Sequence, residues 1–502
     1  MAETIWKTFE KVSRERGGAP AVIENSRTVS FTELYDMACD IASHCPYGIK
    51  RVGIIMDHTA EMIASMLATL KVGACYVPAE PDFPPGRISF MMDEAEIDFA
   101  LTGRKFADRT KVLAMSSLEK RVYDIEHIHP RRIASDGPND PSLPAYILYT
   151  SGTTGKPKGV CVTNGNVCHY ARAFADEFDP GPGDVTLQYS VCSFDIFVEE
   201  VYGSLLNGAA VAIPSADDKK SVKALMDFAE RCGVTIISGF PLLLAEMNHL
   251  DSIPDSVRLL ISGGDVLRGV YVDNLLGRTE VYNTYGPSET TVCAAYFRCT
   301  EDSVLGDGTY PVGRPVKGAD IRILDRDGRE VPDGETGEIC IFGGGVSLGY
   351  IGGRDEENKA FVETGKGKNA SGIPDRMYRS GDLGYVLPDG NIAFLHRKDT
   401  QIMIDGKRVE ISEVESRLYQ CAGVRRALVR ATEDEHGHPY MTAYVVPSDD
   451  SVSVGRIKAE LAENLTPFMI PEFFVQVSEI PLTENGKPDA SKLPVVLKEG
   501  SE

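Results

Sequence analysis

The chain predicts an α/β fold: layered sheets and helices in a large N-terminal domain, a β-rich subdomain, and a small α+β domain at the C-terminal end. Three observations carry that expectation. First, short apolar runs recur, VGIIM (52–56), YVPAE (76–80), AYILY (145–149), AAVAIP (209–214), VTIIS (234–238), RLLIS (258–262) and EVYN (280–283), separated by amphipathic stretches; this is the rhythm of a largely parallel sheet. Second, helical spacing is clear in TAEMIASMLATLKVG (59–73) and KSVKALMDFAERCG (220–233), stopped by Gly73 and Gly233. Third, the text after about residue 310 is hairpin-like, with turns at DRDG (325–328), PDGETG (332–337) and LPDG (387–390). From about residue 400 a smaller unit reads as mixed, through VEISEVESRLYQCAG, RRALVRATED and RIKAELAENLTPF. The expected division is 1–398 and 399–502, with the β-rich part at about 310–398.

A chain of 502 residues exceeds what one core supports, so more than one domain is expected. With 74 acidic and 52 basic residues the formal charge is −22, which argues against nucleic acid and anionic membranes as partners. The N-terminal stretch MAETIWKTFEKVSRERGG lacks the apolar segment of a signal peptide, and no apolar run approaches a membrane span, so a cytoplasmic location is expected. The 11 cysteines are scattered without a CxxC pair and read as reduced, mostly buried thiols.

One loop stands apart. TSGTTGKPKG (150–159) follows an apolar strand and gathers four hydroxyl residues, three glycines and two lysines. Its backbone N–H groups, with the hydroxyls of Thr150, Ser151, Thr153 and Thr154, can converge on an anion, and the glycines permit the tight path. The spacing is not that of a P-loop, because Gly152 and Gly155 are separated by two residues and Pro157 follows Gly155-Lys156.

Together with YNTYGPSETT (282–291), YRSGDLG (378–384), RKDTQIMIDGKRVE (397–410) and NGKPD (485–489), in this order, the loop closely resembles the adenylate-forming superfamily, and in detail the amino-acid-adenylating domains of nonribosomal peptide synthetases. The resemblance spans essentially the whole chain, through FTELYDMA (31–38), LKVGACYVP (70–78), FDIFVEEVYGSLLNGA (194–209), GEICIFGGGVSLGYIG (337–352) and LTPFMIP (465–471). It implies ATP-dependent, AMP-forming activation of a carboxylate, followed by transfer to a thiol. By resemblance, Thr150, Ser151, Gly152, Thr153, Thr154 and Lys158 hold the departing phosphates, and Glu289 is the magnesium ligand. Tyr285, beside Gly286, stacks on adenine, Gly264 and Asn283 meet its edge, Asp382 accepts from the ribose hydroxyls, and Arg397 positions ribose and phosphate. Lys487 bridges the attacking carboxylate and the α-phosphate. Asp399 is the implied hinge. His396, Met403 and Asp405 depart from the family's frequent residues near that hinge, which bears on the thiol half rather than on adenylation.

The same resemblance places Asp195 on the α-ammonium of an amino acid and outlines a pocket of Asp195, Ile196, Glu199, Ser238, Ile261, Gly263, Thr284, Val292 and Cys293. Small residues at 238, 263 and 284 leave depth, and Glu199 offers a carboxylate where a large apolar residue is frequent. A carboxylate inside a pocket needs a partner, which a cationic substrate side chain supplies. A basic amino acid is therefore expected, lysine first and ornithine next; the competing arrangement turns Glu199 to solvent beside Glu200. The alternatives are a D-alanine carrier-protein ligase or an acyl-CoA ligase, and beyond them a non-catalytic nucleotide-binding protein. The thiol acceptor implied is the phosphopantetheine of a carrier protein, in trans, or in cis if this unit is cut from a larger synthetase. A monomer is the family's usual state.

Overall fold

The computed structural model describes residues 4–103, 122–124, 136–151, 157–368, 374–398, 401–404, 406–434, 437–448, 453–481 and 492–498. Contacts divide the chain into two compact units, one of 1–81, 92–149 and 159–398, the other of 82–91, 150–158 and 399–502.

In the first unit nine strands form one sheet among the described residues, in the order 314–315, 295–298, 280–285, 259–262, 236–239, 185–187, 210–213, 20–24, 28–30. Its middle six strands, from Glu280–Tyr285 to Pro20–Glu24, run parallel, as the recurrent apolar runs predict. A second sheet orders strands 349–350, 158–163, 144–150, 75–79, 51–55, 99–102 and 122–124. The turn-rich segment forms an antiparallel sheet of Ala319–Leu324, Gly337–Gly343, Pro374–Val386, Phe361–Lys368 and Ile392–Arg397.

Local chemistry explains the helices. Val222–Cys232 begins at Ser221, whose hydroxyl accepts from Ala224 N, and ends at Gly233 in the left-handed region (φ 64°); it buries Leu225, Met226, Phe228 and Ala229. Ala60–Lys71 differs from its amphipathic reading, because nearly every side chain in it is buried, down to Lys71, whose ammonium pairs with Asp136. That ion pair and a contact over the Trp6 ring at 4.6 Å let the lysine stem lie inside.

In the second unit helix Ile411–Gln420 and helix Val454–Ala462 share a core of Val414, Leu418, Ile457, Leu461 and Met469 with strands Val424–Glu433 and Pro439–Pro447. Strand Phe473–Gln476 completes that sheet in parallel with Pro439–Pro447. Gln401–Ile404 and Lys407–Glu410 form a hairpin against which the described part of the 150–158 segment rests: Ser151 Oγ donates to Arg408 O at 2.9 Å, and the buried Lys158 ammonium lies 3.9 Å from Glu410. Gly152, Thr153, Thr154, Asp399 and Lys487 lie outside the described residues.

Candidate active site

The candidate site gathers at the C-terminal ends of three adjacent parallel strands, Ile236–Gly239, Leu259–Ser262 and Glu280–Tyr285, the edge at which open α/β sheets hold ligands. Register aligns Ser238 with Ile261 and Ser262 with Asn283. Gly263 N donates to Gly239 O at 2.9 Å, and a Cβ at Gly263 would sit 2.7 Å from Thr284 Oγ1, so any larger residue would have to displace that hydroxyl.

Beyond Tyr285 the chain doubles back. Ala294 N donates to Tyr285 O at 2.7 Å, and a Cβ at Gly286 would lie 2.4 Å from Val292 O, so the return path needs a bare backbone. Thr291 and Val292 both adopt positive φ, 63° and 66°, a costly conformation for β-branched residues. The strained turn buries Val292 and sets buried Cys293 beside Thr284, next to Glu199 and Asp195.

Those two carboxylates come from one short helix. Asp195–Val198 is α-helical and runs directly into a π-turn over Glu199–Gly203, a feature frequent at functional sites. Asp195 accepts from Ser288 Oγ at 2.5 Å, and its carboxyl is pushed up to about 6 by burial, with the charge of Glu289 adding to the effect. Glu199 is not turned to solvent: it is 2% exposed and accepts from Ser238 Oγ at 2.5 Å and from the hydroxyl of Tyr170. Burial pushes its carboxyl up to about 7, with only those two hydroxyls opposing. Among the described residues neither Asp195 nor Glu199 has a cation beside it. Ile196, partly exposed, joins this group only through the helix it shares with Asp195.

A second cluster lies at the end of strand Glu280–Tyr285. Tyr285 Oη donates to Asp382 Oδ2 at 2.5 Å, Arg397 Nη1 to Asp382 Oδ1 at 2.5 Å, and Arg397 Nη2 to Ser380 O at 3.2 Å. Burial, with Asp382 beside it, pushes the Tyr285 phenol well above its ordinary range. Asn283 Nδ2 donates to Pro311 O at 2.9 Å, whereas its Oδ1 is buried with no hydrogen-bond partner among the described residues, as is Ser262 Oγ; in the other unit, taken by itself, Thr150 Oγ1 is likewise without one. Gly264 follows on an exposed turn with φ 82°. Glu289, fully buried, accepts from Tyr350 Oη at 2.5 Å.

Tyr170 and Ser288 escaped the sequence reading. Tyr170 sits in helix Asn164–Phe178 among Val167, Ala171, Phe174 and Phe178, a spacing that reads as plain core. The one available signal is chemical: a buried tyrosine hydroxyl looks for an acceptor.

Comparison with known proteins gives the chain's family. AMP-binding enzyme matches residues 9–351, and AMP-binding enzyme C-terminal domain matches 413–487. Bacitracin synthase 2 of Bacillus licheniformis is 34% identical over 98% of this chain, which spans 18% of that relative's length. Two solved structures share the fold. One is an NRPS protein containing adenylation and PCP domains, bound to a vinylsulfonamide inhibitor (23% identity, TM-score 0.84, 98% of this chain and 84% of that one). The other is a double mutant of o-succinylbenzoate CoA synthetase from Bacillus subtilis (23% identity, TM-score 0.84, 98% of each chain). An NRPS protein and a CoA synthetase thus share the fold, which does not name the acid; that must be argued from the pocket. The chain belongs to the AMP-binding enzymes, AMP-forming ligases of the adenylate-forming superfamily that includes the adenylation domains of nonribosomal peptide synthetases.

Proposed function

We propose that this adenylation domain activates a basic amino acid, lysine first and ornithine next, as its aminoacyl-adenylate, and passes it to the phosphopantetheine thiol of a carrier protein, in trans or in cis. One observation carries the choice of acid: Glu199, an almost wholly buried carboxyl group at the strand ends, has two neutral hydroxyls and no cation for company among the described residues. A buried carboxylate without a cation is costly, and a ligand ammonium removes that cost. Asp195 and Glu199 are four residues apart on one helical path, about 6 Å along the axis, the scale of the chain between the two ammonium groups of a diamino acid. Asp195 holds the α-ammonium, which turns the α-carboxylate away from the pocket end and toward the nucleotide.

For ATP, the orphan Asn283 Oδ1 suits the exocyclic amino group of adenine beside Gly264 and Gly286. Tyr285 offers its ring, and Asp382, already gripped by Tyr285 and Arg397, offers acceptor oxygens to the ribose. Thr150 Oγ1, at the base of the 150–159 loop, is an unspent donor for a phosphate oxygen. Glu289 fits a magnesium ion, a hard cation that takes one or two carboxylates and fills its shell with water and phosphate; bound there, the ion would neutralise phosphate charge. The role of Lys487 rests on the resemblance of NGKPD alone. The test is amino-acid-dependent exchange of pyrophosphate into ATP across the twenty amino acids, ornithine, β-lysine and D-alanine. Lysine or ornithine should lead; a best response to alanine or to a large apolar residue would overturn the pocket reading.

A further inference from the structure

Behind the substrate helix lies a buried polar network that neither ATP nor the amino acid touches in the reading above. The segment 188–192 links strand Val185–Leu187 to the helix that begins at Asp195, and two buried carboxylates hold it. Glu80 accepts from Cys192 N at 2.6 Å. Glu200 accepts from Tyr189 N at 3.2 Å, Ser190 N at 3.0 Å and Ser190 Oγ at 2.9 Å. His58 spans the two anchors, with Nε2 2.8 Å from Glu80 Oε1 and Nδ1 2.8 Å from Gln188 Oε1. Its ring also meets Phe197, inside the substrate helix, edge-on at 5.4 Å.

The protons on His58 follow from its partners. Gln188 Nε2 donates to Ser190 O at 2.6 Å and to Glu200 Oε2 at 3.0 Å, so the amide oxygen faces Nδ1, and an amide oxygen only accepts. Glu80 Oε1 already accepts from Cys192 N and faces Nε2. With Glu80 ionised, its carboxyl held down to about 2 by His58 against the opposing effect of burial, both ring nitrogens donate, which makes His58 an imidazolium. Glu80 favours that charge; Lys219, whose ammonium donates to Tyr189 O at 3.2 Å, opposes it, as does burial, while Glu200 acts through Gln188. The His58, Glu80 and Cys192 ligand atoms lie within 4.8 Å of one another, a trio that could attract a metal. Yet the 2.8 Å N···O separation is a hydrogen-bond length, whereas two ligands on a tetrahedral zinc lie about 3.3 Å apart.

We propose that His58, as a buried imidazolium held by Glu80 and Gln188, is a positioning residue for amino-acid binding: it fixes segment 188–192 and, through Phe197 and Glu200, the helix that presents Asp195 and Glu199. This rests on those two side chains meeting the amino acid, but not on which amino acid it is. The exchange assay therefore uses whichever acid responds best. His58→Gln and Glu80→Gln should each raise KM for that acid about tenfold while leaving KM for ATP within about twofold, the signature of lost substrate positioning. Parallel loss of both, or a fall in Tm with neither KM moved, would overturn the proposal. Independently of activity, the nitrogen-15 spectrum of histidine-labelled protein, with His58 assigned from its loss in His58→Gln, should show both ring nitrogens protonated at neutral pH. A neutral ring, or stoichiometric zinc that a chelator removes, would also overturn it.

Discussion

Glu199 and Glu200 are consecutive, both buried, and both pushed up to about 7 by that burial, yet they face different worlds. Glu200 is saturated by its own chain, with donors from Gln188, the backbone of Tyr189 and Ser190, and the Ser190 hydroxyl. Among the described residues Glu199 accepts hydrogen bonds only from Ser238 and Tyr170, two hydroxyls able to turn toward other acceptors. The π-turn that starts at Glu199 separates these fates: one carboxylate ties the fold together, and its neighbour waits at the strand ends. A raised pKa alone therefore does not distinguish structure from function here. The partner list does.

The largest break in this comparison is expected at Glu200. Glu200→Ala strands several buried donors at once, each worth about 1–3 kcal/mol, so the urea midpoint should fall by the equivalent of about 3 kcal/mol or more, and activity should go with it. Glu199→Gln keeps shape and removes a buried charge whose ionisation costs stability, so its unfolding midpoint at neutral pH should hold or rise. Its kcat/KM for lysine should drop by roughly 100-fold, as truncating one side of a buried charge pair does, while KM for ATP stays put. Unchanged lysine activity would place the carboxylate outside the pocket. Tyr170→Phe is the finer cut. It removes one donor from Glu199, and a several-fold change in KM for lysine, corresponding to about 1 kcal/mol, should come with unchanged ATP kinetics.

How much of this was legible in the sequence follows from the range of each interaction. The parallel sheet, the helix stop at Gly233 and the turn-rich sheet after residue 310 are local patterns, readable in windows of a dozen residues. Asp195 and Glu199 were placed by resemblance of a continuous stretch. Tyr170 lies 29 positions from Glu199, Ser288 93 from Asp195, and Gln188 130 from His58. No period links such pairs, and each partner read alone looks like core or loop. The π-turn was equally hidden, since nothing in EEVYG demands an extra residue in the turn.

The smallest effect tests the comparison most sharply, because it separates two carboxyls with the same titration range. A carboxyl whose folded pKa of about 7 exceeds its ordinary 4.5 keeps a proton that the unfolded chain releases. Stability therefore falls as pH rises from 4.5 to 7 and stays reduced above that window. Glu199 and Glu200 both contribute this slope in the free protein. Of the two glutamates lysine changes only the first: its ammonium stabilises the ionised Glu199, so lysine affinity should rise as pH climbs through about 7, weaken by up to about tenfold per unit below it, and fall more steeply below about 6, where Asp195 is protonated as well. Saturating lysine should accordingly raise Tm more at pH 8 than at pH 6. In Glu199→Gln the gap between the two increments should shrink to the small share left by Asp195, which titrates near 6, while the slope from Glu200 persists. A pH-independent increment in the wild-type protein would mean that the ligand never meets the carboxylate.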